Sequence, residues 1–223
     1  MKKEIREEFE KLVKECDLRH SVEELLNKNC EETLDWIRIS MYKFLSEEFI
    51  DVFSDKLDWD LMSKYQNLSD YLITKYHNKI YWEYACKYQK LSPDILFKFA
   101  DKLDFYLISV YQTLPENFIR QFKDRVIWRE ISRCQKLSPD FIKEFKDYVD
   151  WFYISEHQIL PEDFIREFRN RVIWYYICIK QKLSENFIRE FENEVHWDKI
   201  FEHQHLSKSF IEEFSHKLKK IEI

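Results

Sequence analysis

The chain has 223 residues, 45% hydrophobic and 17% aromatic, enough to bury a substantial core, with a formal net charge of −6. It contains no glycine, which argues against phosphate-cradling loops, dinucleotide fingerprints and tight primed hairpins. The acidic balance speaks against a general nucleic-acid binder, and no run approaches the roughly 18 apolar residues of a membrane span.

In chain order, residues 1–21 read as an amphipathic N-terminal capping helix without the apolar core of a signal peptide. Ser21 and Glu24 fit a capping box that opens the next helix. A degenerate first repeat covers 22–44, recognisable from "LDWIRIS" around Trp36. Seven full 23-residue repeats over 45–205 begin at Leu45, Leu68, Leu91, Leu114, Leu137, Leu160 and Leu183, with no insertion between them. Residues 206–223 form a truncated last copy, whose Lys217, Lys219 and Lys220 suit a solvated C-terminal cap. Periodicity of this regularity is the signature of a solenoid, here expected to be one domain.

Within a copy, the fifth and sixth places are apolar, as in Phe164-Ile165 and Phe187-Ile188, and the ninth is always aromatic. The fifteenth holds every tryptophan, with Phe105 standing in once; the eighteenth is usually isoleucine, the nineteenth mostly Ser or Cys. The twenty-second is glutamine in each full copy: Gln66, Gln89, Gln112, Gln135, Gln158, Gln181 and Gln204. At 100° per residue the fifth to thirteenth places face one way and the fifteenth to twenty-second nearly the other. A single straight helix would therefore bury two opposed stripes, and the phase change predicts a break near place fourteen. Asp58, Asp104 and Asp150 stand at that break as helix caps. The reading is helix A over about places three to thirteen and helix B over about fifteen to twenty-two. Ser at place two caps helix A, Pro93 and Pro139 occupy its first turn, and Pro115 and Pro161 end the preceding helix. Such hairpins bury their apolar faces only by stacking, which gives an all-α solenoid, elongated or superhelical.

The tryptophans share a helical face with the isoleucine at place eighteen, so they are read as inter-repeat core rather than a row of stacking platforms. The glutamines lie on the same face just before the turn and are expected to bond the open carbonyls at the end of helix B.

Function is sought where the copies differ. On helix B the middle copies replace polar residues with Tyr106, Val110, Phe152, Tyr153, Tyr175, Tyr176 and Ile179. Extra apolar side chains beyond the shared core mark a partner surface, and an isologous homodimer would bury the same patch. On helix A, Arg120, Lys143, Arg166 and Arg189, with Lys123, Lys146 and Arg169, would align as basic rows able to meet phosphates or an acidic partner. Interleaved Glu144, Glu167, Glu190, Asp124 and Asp147 neutralise much of that field. His157, His196, His203, His205 and Cys178 match no metal-ligand spacing, so no metal, cofactor or catalytic residue is assigned. The five cysteines form no CxxC pair and point to reduced thiols in a cytoplasmic compartment.

The unit "LSEDFIREFxxxVxWxxISxxQx" resembles short helical repeats in uncharacterised proteins of large DNA viruses and in some phage-related bacterial proteins. The resemblance spans about residues 22–218. It implies a viral or phage origin, a host-cell cytoplasmic location and an interaction protein, for example an inhibitor of a host factor or defence complex. It supplies no catalytic motif. The expectation is a non-enzymatic protein-binding scaffold, with a nucleic-acid binder using the basic rows as the alternative.

Overall fold

The computed structural model describes residues 1–18, 20–27, 33–42 and 45–218. Cys30, Lys219 and Lys220, and parts of the degenerate first repeat, lie outside them. Among the described residues every regular element is helical, and the fold is an all-α repeat solenoid. The chain forms two compact units, Met1–Gln121 and Phe122–Ile223.

In the first unit, α1 (Lys3–Glu15), α2 (Val22–Leu26) and α3 (Thr33–Met41) precede three copies of the hairpin. These are α4 (Glu47–Phe53) with α5 (Trp59–Tyr65), α6 (Asp70–Lys75) with α7 (Trp82–Tyr88), and α8 (Pro93–Lys98) with α9 (Phe105–Tyr111). A short 3-10 turn at Ala100–Lys102 interrupts the last copy, and α10 (Glu116–Gln121) closes the unit. The B helices α3, α5, α7 and α9 pack each on the next, as do the A helices α6, α8 and α10. Helix α1 caps the start by burying Ile5, Phe9 and Leu12, with the Phe9 ring 5.6 Å from Trp36 and 5.1 Å from Phe53. The capping box forms as expected: Ser21 accepts from the Glu24 amide, and the Glu24 carboxylate accepts from Ser21.

The second unit comprises α11 (Trp128–Cys134), α12 (Pro139–Glu144), α13 (Trp151–His157), α14 (Glu162–Glu167), α15 (Trp174–Lys180), α16 (Glu185–Glu190), α17 (Trp197–His203), α18 (Lys208–Glu213) and α19 (Ser215–Leu218). Its B helices α11, α13, α15 and α17 stack in order. Phe210 and Phe214 close the end against Trp197.

Helix B matches its expected span, and Asp58, Asp104 and Asp150 each cap it through the side chain. Helix A is shorter than expected. It ends at about place eight, or at place nine in α4, and beyond α4 the aromatic at place nine serves as its C-cap, as at Phe145 with φ −108° and ψ 29°. The Phe145 carbonyl then accepts two amides, from Tyr148 and Val149, in a tight turn made without glycine. In a continuous helix the amide of place fourteen would bond the carbonyl of place ten. Here side chains take over both groups. The Trp151 indole donates to the Lys146 carbonyl at 2.9 Å, and the Asp150 amide donates to the Ser132 hydroxyl of the preceding copy at 2.9 Å. The same indole bond recurs at Trp59, Trp82, Trp128, Trp174 and Trp197. The hydroxyl bond recurs at Ser40, Ser63 and Ser155, and the Cys178 sulfur accepts the His196 amide in the same way.

The tryptophans are packing residues between copies, each set against the ninth-place aromatic of the following one: Trp151 against Phe168 at 5.0 Å, Trp174 against Phe191 at 5.0 Å. Trp36 and Trp59 are buried, whereas Trp82, Trp128, Trp151, Trp174 and Trp197 are half-buried. The deepest layer is instead Phe and Ile at places five and six with Ile at eighteen, such as Phe141, Ile142 and Ile154.

Gln66, Gln89, Gln112, Gln158, Gln181 and Gln204 each tie one copy to the last. Gln158 donates to the carbonyls of Ser132 and Gln135 at 3.2 and 2.8 Å, and accepts from the Leu137 amide at 3.0 Å. Gln89, Gln112 and Gln204 donate to the equivalent pairs of carbonyls. Changing Gln158 to Leu would leave two carbonyls and an amide buried without partners. The expected loss is about 2–4 kcal/mol, or about 5–15 °C in Tm, measured by thermal and denaturant unfolding; unchanged stability would remove the ladder from the account.

Burial pushes the Cys86 and Cys178 thiols up to about 11. The neutral thiol is the form that the fold accommodates, so its stabilising share is complete below about pH 9 and is lost as pH rises through about 11. Cys178→Ser keeps the hydroxyl-type acceptor and removes this titration. Its stability relative to the parent should improve steadily across that window in pH-dependent denaturation; a flat difference would contradict the assignment.

Candidate functional site

The outward faces of α13 and α15 carry Phe152, Tyr153, Tyr175 and Tyr176, and the stacking of these helices brings all four together. Phe152 contacts Tyr153 at 5.2 Å and Tyr176 at 5.0 Å, both edge-to-face. Tyr176 contacts Tyr175 at 5.4 Å, and Tyr175 contacts the His196 ring at 5.7 Å. His157 stacks on Tyr153 at 5.9 Å. Six rings thus form a continuous chain across α13, α15 and the start of α17. Phe152 and Tyr175 keep 44% and 41% of their surface exposed, so the chain is a surface feature rather than core. Tyr153, Tyr176 and Ile179 are half-buried beside them. Desolvation and the nearby Glu156 push the Tyr176 phenol above its ordinary range. Tyr106 is also exposed, on α9 of the first unit, with Val110 half-buried on the same helix.

Cations edge this chain. The Arg129 guanidinium donates to the Tyr153 hydroxyl at 2.9 Å and lies 5.5 Å over its ring. Lys199 lies 6.0 Å over the Tyr175 ring. Arg129 occupies in its copy the place that Phe152 and Tyr175 occupy in theirs, and nothing within its own copy signals that it pairs with the patch. Edge-to-face rings and cation–π contacts of this kind are individually worth about 0.5–1.5 kcal/mol. They restrain the side chains relative to one another.

The helix A cations are arranged differently. Lys143 pairs with Glu167 at 2.7 Å, Arg166 with Glu190 at 2.8 Å, and Arg189 with Glu213 at 2.8 Å, each reaching 24 residues to the following copy. Arg166 and Arg189 also lie over the Phe187 and Phe210 rings. The row is thus largely an ion-pair ladder between layers. Arg120 belongs to the first unit and is exposed. Lys123, Lys146 and Arg169 are exposed as well, and the carbonyls of these three accept the tryptophan indoles described above.

His157 and His196 belong to the ring chain, and Cys178 is an acceptor within the fold. Among the described residues, no group of three or more His, Cys, Asp or Glu side chains is placed to hold a metal ion. No helix among them is long and apolar enough to cross a membrane. The fold and this surface define the class as an all-α repeat solenoid with an exposed aromatic strip. No protein-family model, curated protein or solved structure matches the chain.

Proposed function

We propose that the protein is a non-enzymatic, protein-binding repeat scaffold whose second unit anchors a partner on the aromatic strip. The observation that carries this reading is the chain of six rings with half-exposed Phe152 and Tyr175, edged by Arg129 and Lys199. Tyrosine and arginine dominate the energetics of protein interfaces, because they supply large rigid contact area with polar tips. The rings are also held by their neighbours, which lowers the entropy lost on binding. The resemblance of the repeat to viral and phage-related arrays supports a host protein as the partner and inhibition as the mode. The free thiols of Cys16, Cys86, Cys134 and Cys178 support a reducing, cytoplasmic setting.

A second reading, nucleic-acid binding along helix A, draws support from exposed Lys123, Lys146 and Arg169. Salt separates the two readings, since phosphate binding weakens steeply with ionic strength and an apolar interface does not. In pull-downs from cell lysate at low and high salt, a protein should be retained at high salt. It should be lost when Phe152 and Tyr175 are changed to Ser, with helicity and Tm of the variant unchanged. Retention of nucleic acid alone, washed off by salt and indifferent to the variant, would contradict the proposal. Light scattering at two concentrations would expose a homodimer through the same strip.

A further inference from the structure

The first unit carries a different surface at the C-terminal ends of its B helices. Tyr65, Tyr88 and Tyr111 occupy the same place in three successive copies, and Lys64 and Lys87 immediately precede the first two. Each lysine bridges two layers. Lys64 lies 4.9 Å from the Tyr65 ring and 5.8 Å from Tyr88, and Lys87 lies 5.2 Å from Tyr88 and 5.3 Å from Tyr111. Tyr88 and Tyr111 remain 45% and 49% exposed. Beside them opens a groove of about 740 Å³ lined by Lys87, Tyr88, Lys90, Pro93, Tyr111 and Thr113 among others, none of them acidic.

Charge distinguishes this groove from its surroundings. Residues 45–113 carry a net −3, yet the copy over 68–90 holds four lysines against Asp70 and Glu83. Two of the four are neutralised, Lys75 by Asp51 and Lys79 by Asp55. Lys87 and Lys90, the two that line the groove, enter no ion pair among the described residues. A nucleic-acid strand fits poorly here. The ring faces on which bases would stack are covered by the lysine ammoniums, and two lysines would neutralise few of a strand's closely spaced phosphates. Two isolated cations beside tyrosine edges and a proline instead suit one or two carboxylates set among apolar residues.

The spacing adds a constraint. Tyr88 and Tyr111 stand in adjacent layers, which lie about 8–10 Å apart, and a polyproline II segment presents every third side chain at about 9 Å, so apolar residues at that interval would meet the two rings in turn. We propose that this groove binds an extended acidic protein segment, with carboxylates on Lys87 and Lys90 and apolar residues against Tyr88, Tyr111 and Pro93. This groove belongs to the first unit and the aromatic strip to the second, and neither proposal depends on the other.

The test uses the full chain and a fluorescein-labelled peptide of repeated Glu-Pro-Pro units, read by fluorescence anisotropy. A Lys-Pro-Pro peptide and an oligouridylate of equal length serve as comparisons. The acidic peptide should bind saturably and better than both. Lys87→Glu should weaken it by about tenfold or more, Lys90→Ala should weaken it less, and the Phe152→Ser, Tyr175→Ser variant should bind it unchanged. Absence of saturable binding, equal binding of the basic peptide, tighter binding of the oligouridylate, or indifference to both lysine substitutions would each overturn the proposal.

Discussion

A helix interrupted without glycine exposes one amide and one carbonyl that must find partners inside a packed layer. Everything else in this fold depends on how that break is closed. The place-ten carbonyl takes a tryptophan indole, and the place-fourteen amide takes a serine hydroxyl or cysteine sulfur from the copy before. The first bond is local and shapes the hairpin; the second joins neighbours 18 residues apart. Because the acceptor belongs to the preceding copy, a hairpin cannot satisfy its own backbone and is completed only by stacking. The glutamine at place twenty-two acts likewise at the other turn, with one amide group serving backbone groups of two copies. Helices of six or seven residues are far below the roughly 12–15 that are even marginal in isolation, so these bonds and the buried Phe and Ile layer stand in for helix length.

This division of labour explains what varies. Places five, six, fifteen, eighteen, nineteen and twenty-two are committed to the frame. The outer places of helix B carry no such duty, which leaves place sixteen open to Phe152 and Tyr175 in two copies and to Asp60 and Glu83 in two others. The ion pairs of helix A, such as Arg166 with Glu190, also run between adjacent layers. They are exposed, and pairs of this kind are worth about 0–1 kcal/mol each, so they align layers more than they stabilise them.

Much of the fold was legible in the sequence. The period, the break, the caps at Asp58, Asp104 and Asp150, and the capping box at Ser21 all follow from spacing and side-chain chemistry that act within a few residues. The length of helix A was not legible, because what ends it is a bond from the Trp151 indole and one from the Asp150 amide to a serine in another copy, and helical periodicity holds no trace of either. The serine at place nineteen was visible as a shared residue without a visible purpose. Phe152, Tyr153, Tyr175 and Tyr176 stood out by difference from the other copies, but their joining into one chain of rings depends on layer alignment. Arg129 and the lysine–tyrosine row of the first unit were missed for the same reason. Each looks ordinary within its own copy and acquires meaning only beside the next.

Native-state hydrogen exchange on the second unit addresses the central claim most directly. The amides of Leu160 and Ile173 lie outside the helices, and each is bonded to a side chain, Gln181 and Ser155 respectively, at 2.9 Å. Protection of both to the level of the buried helix amides of Ile165 and Ile177 is the expected result. Exchange at the rate of exposed turn amides would mean that the side chains do not close the backbone, and that the copies are held together by packing alone.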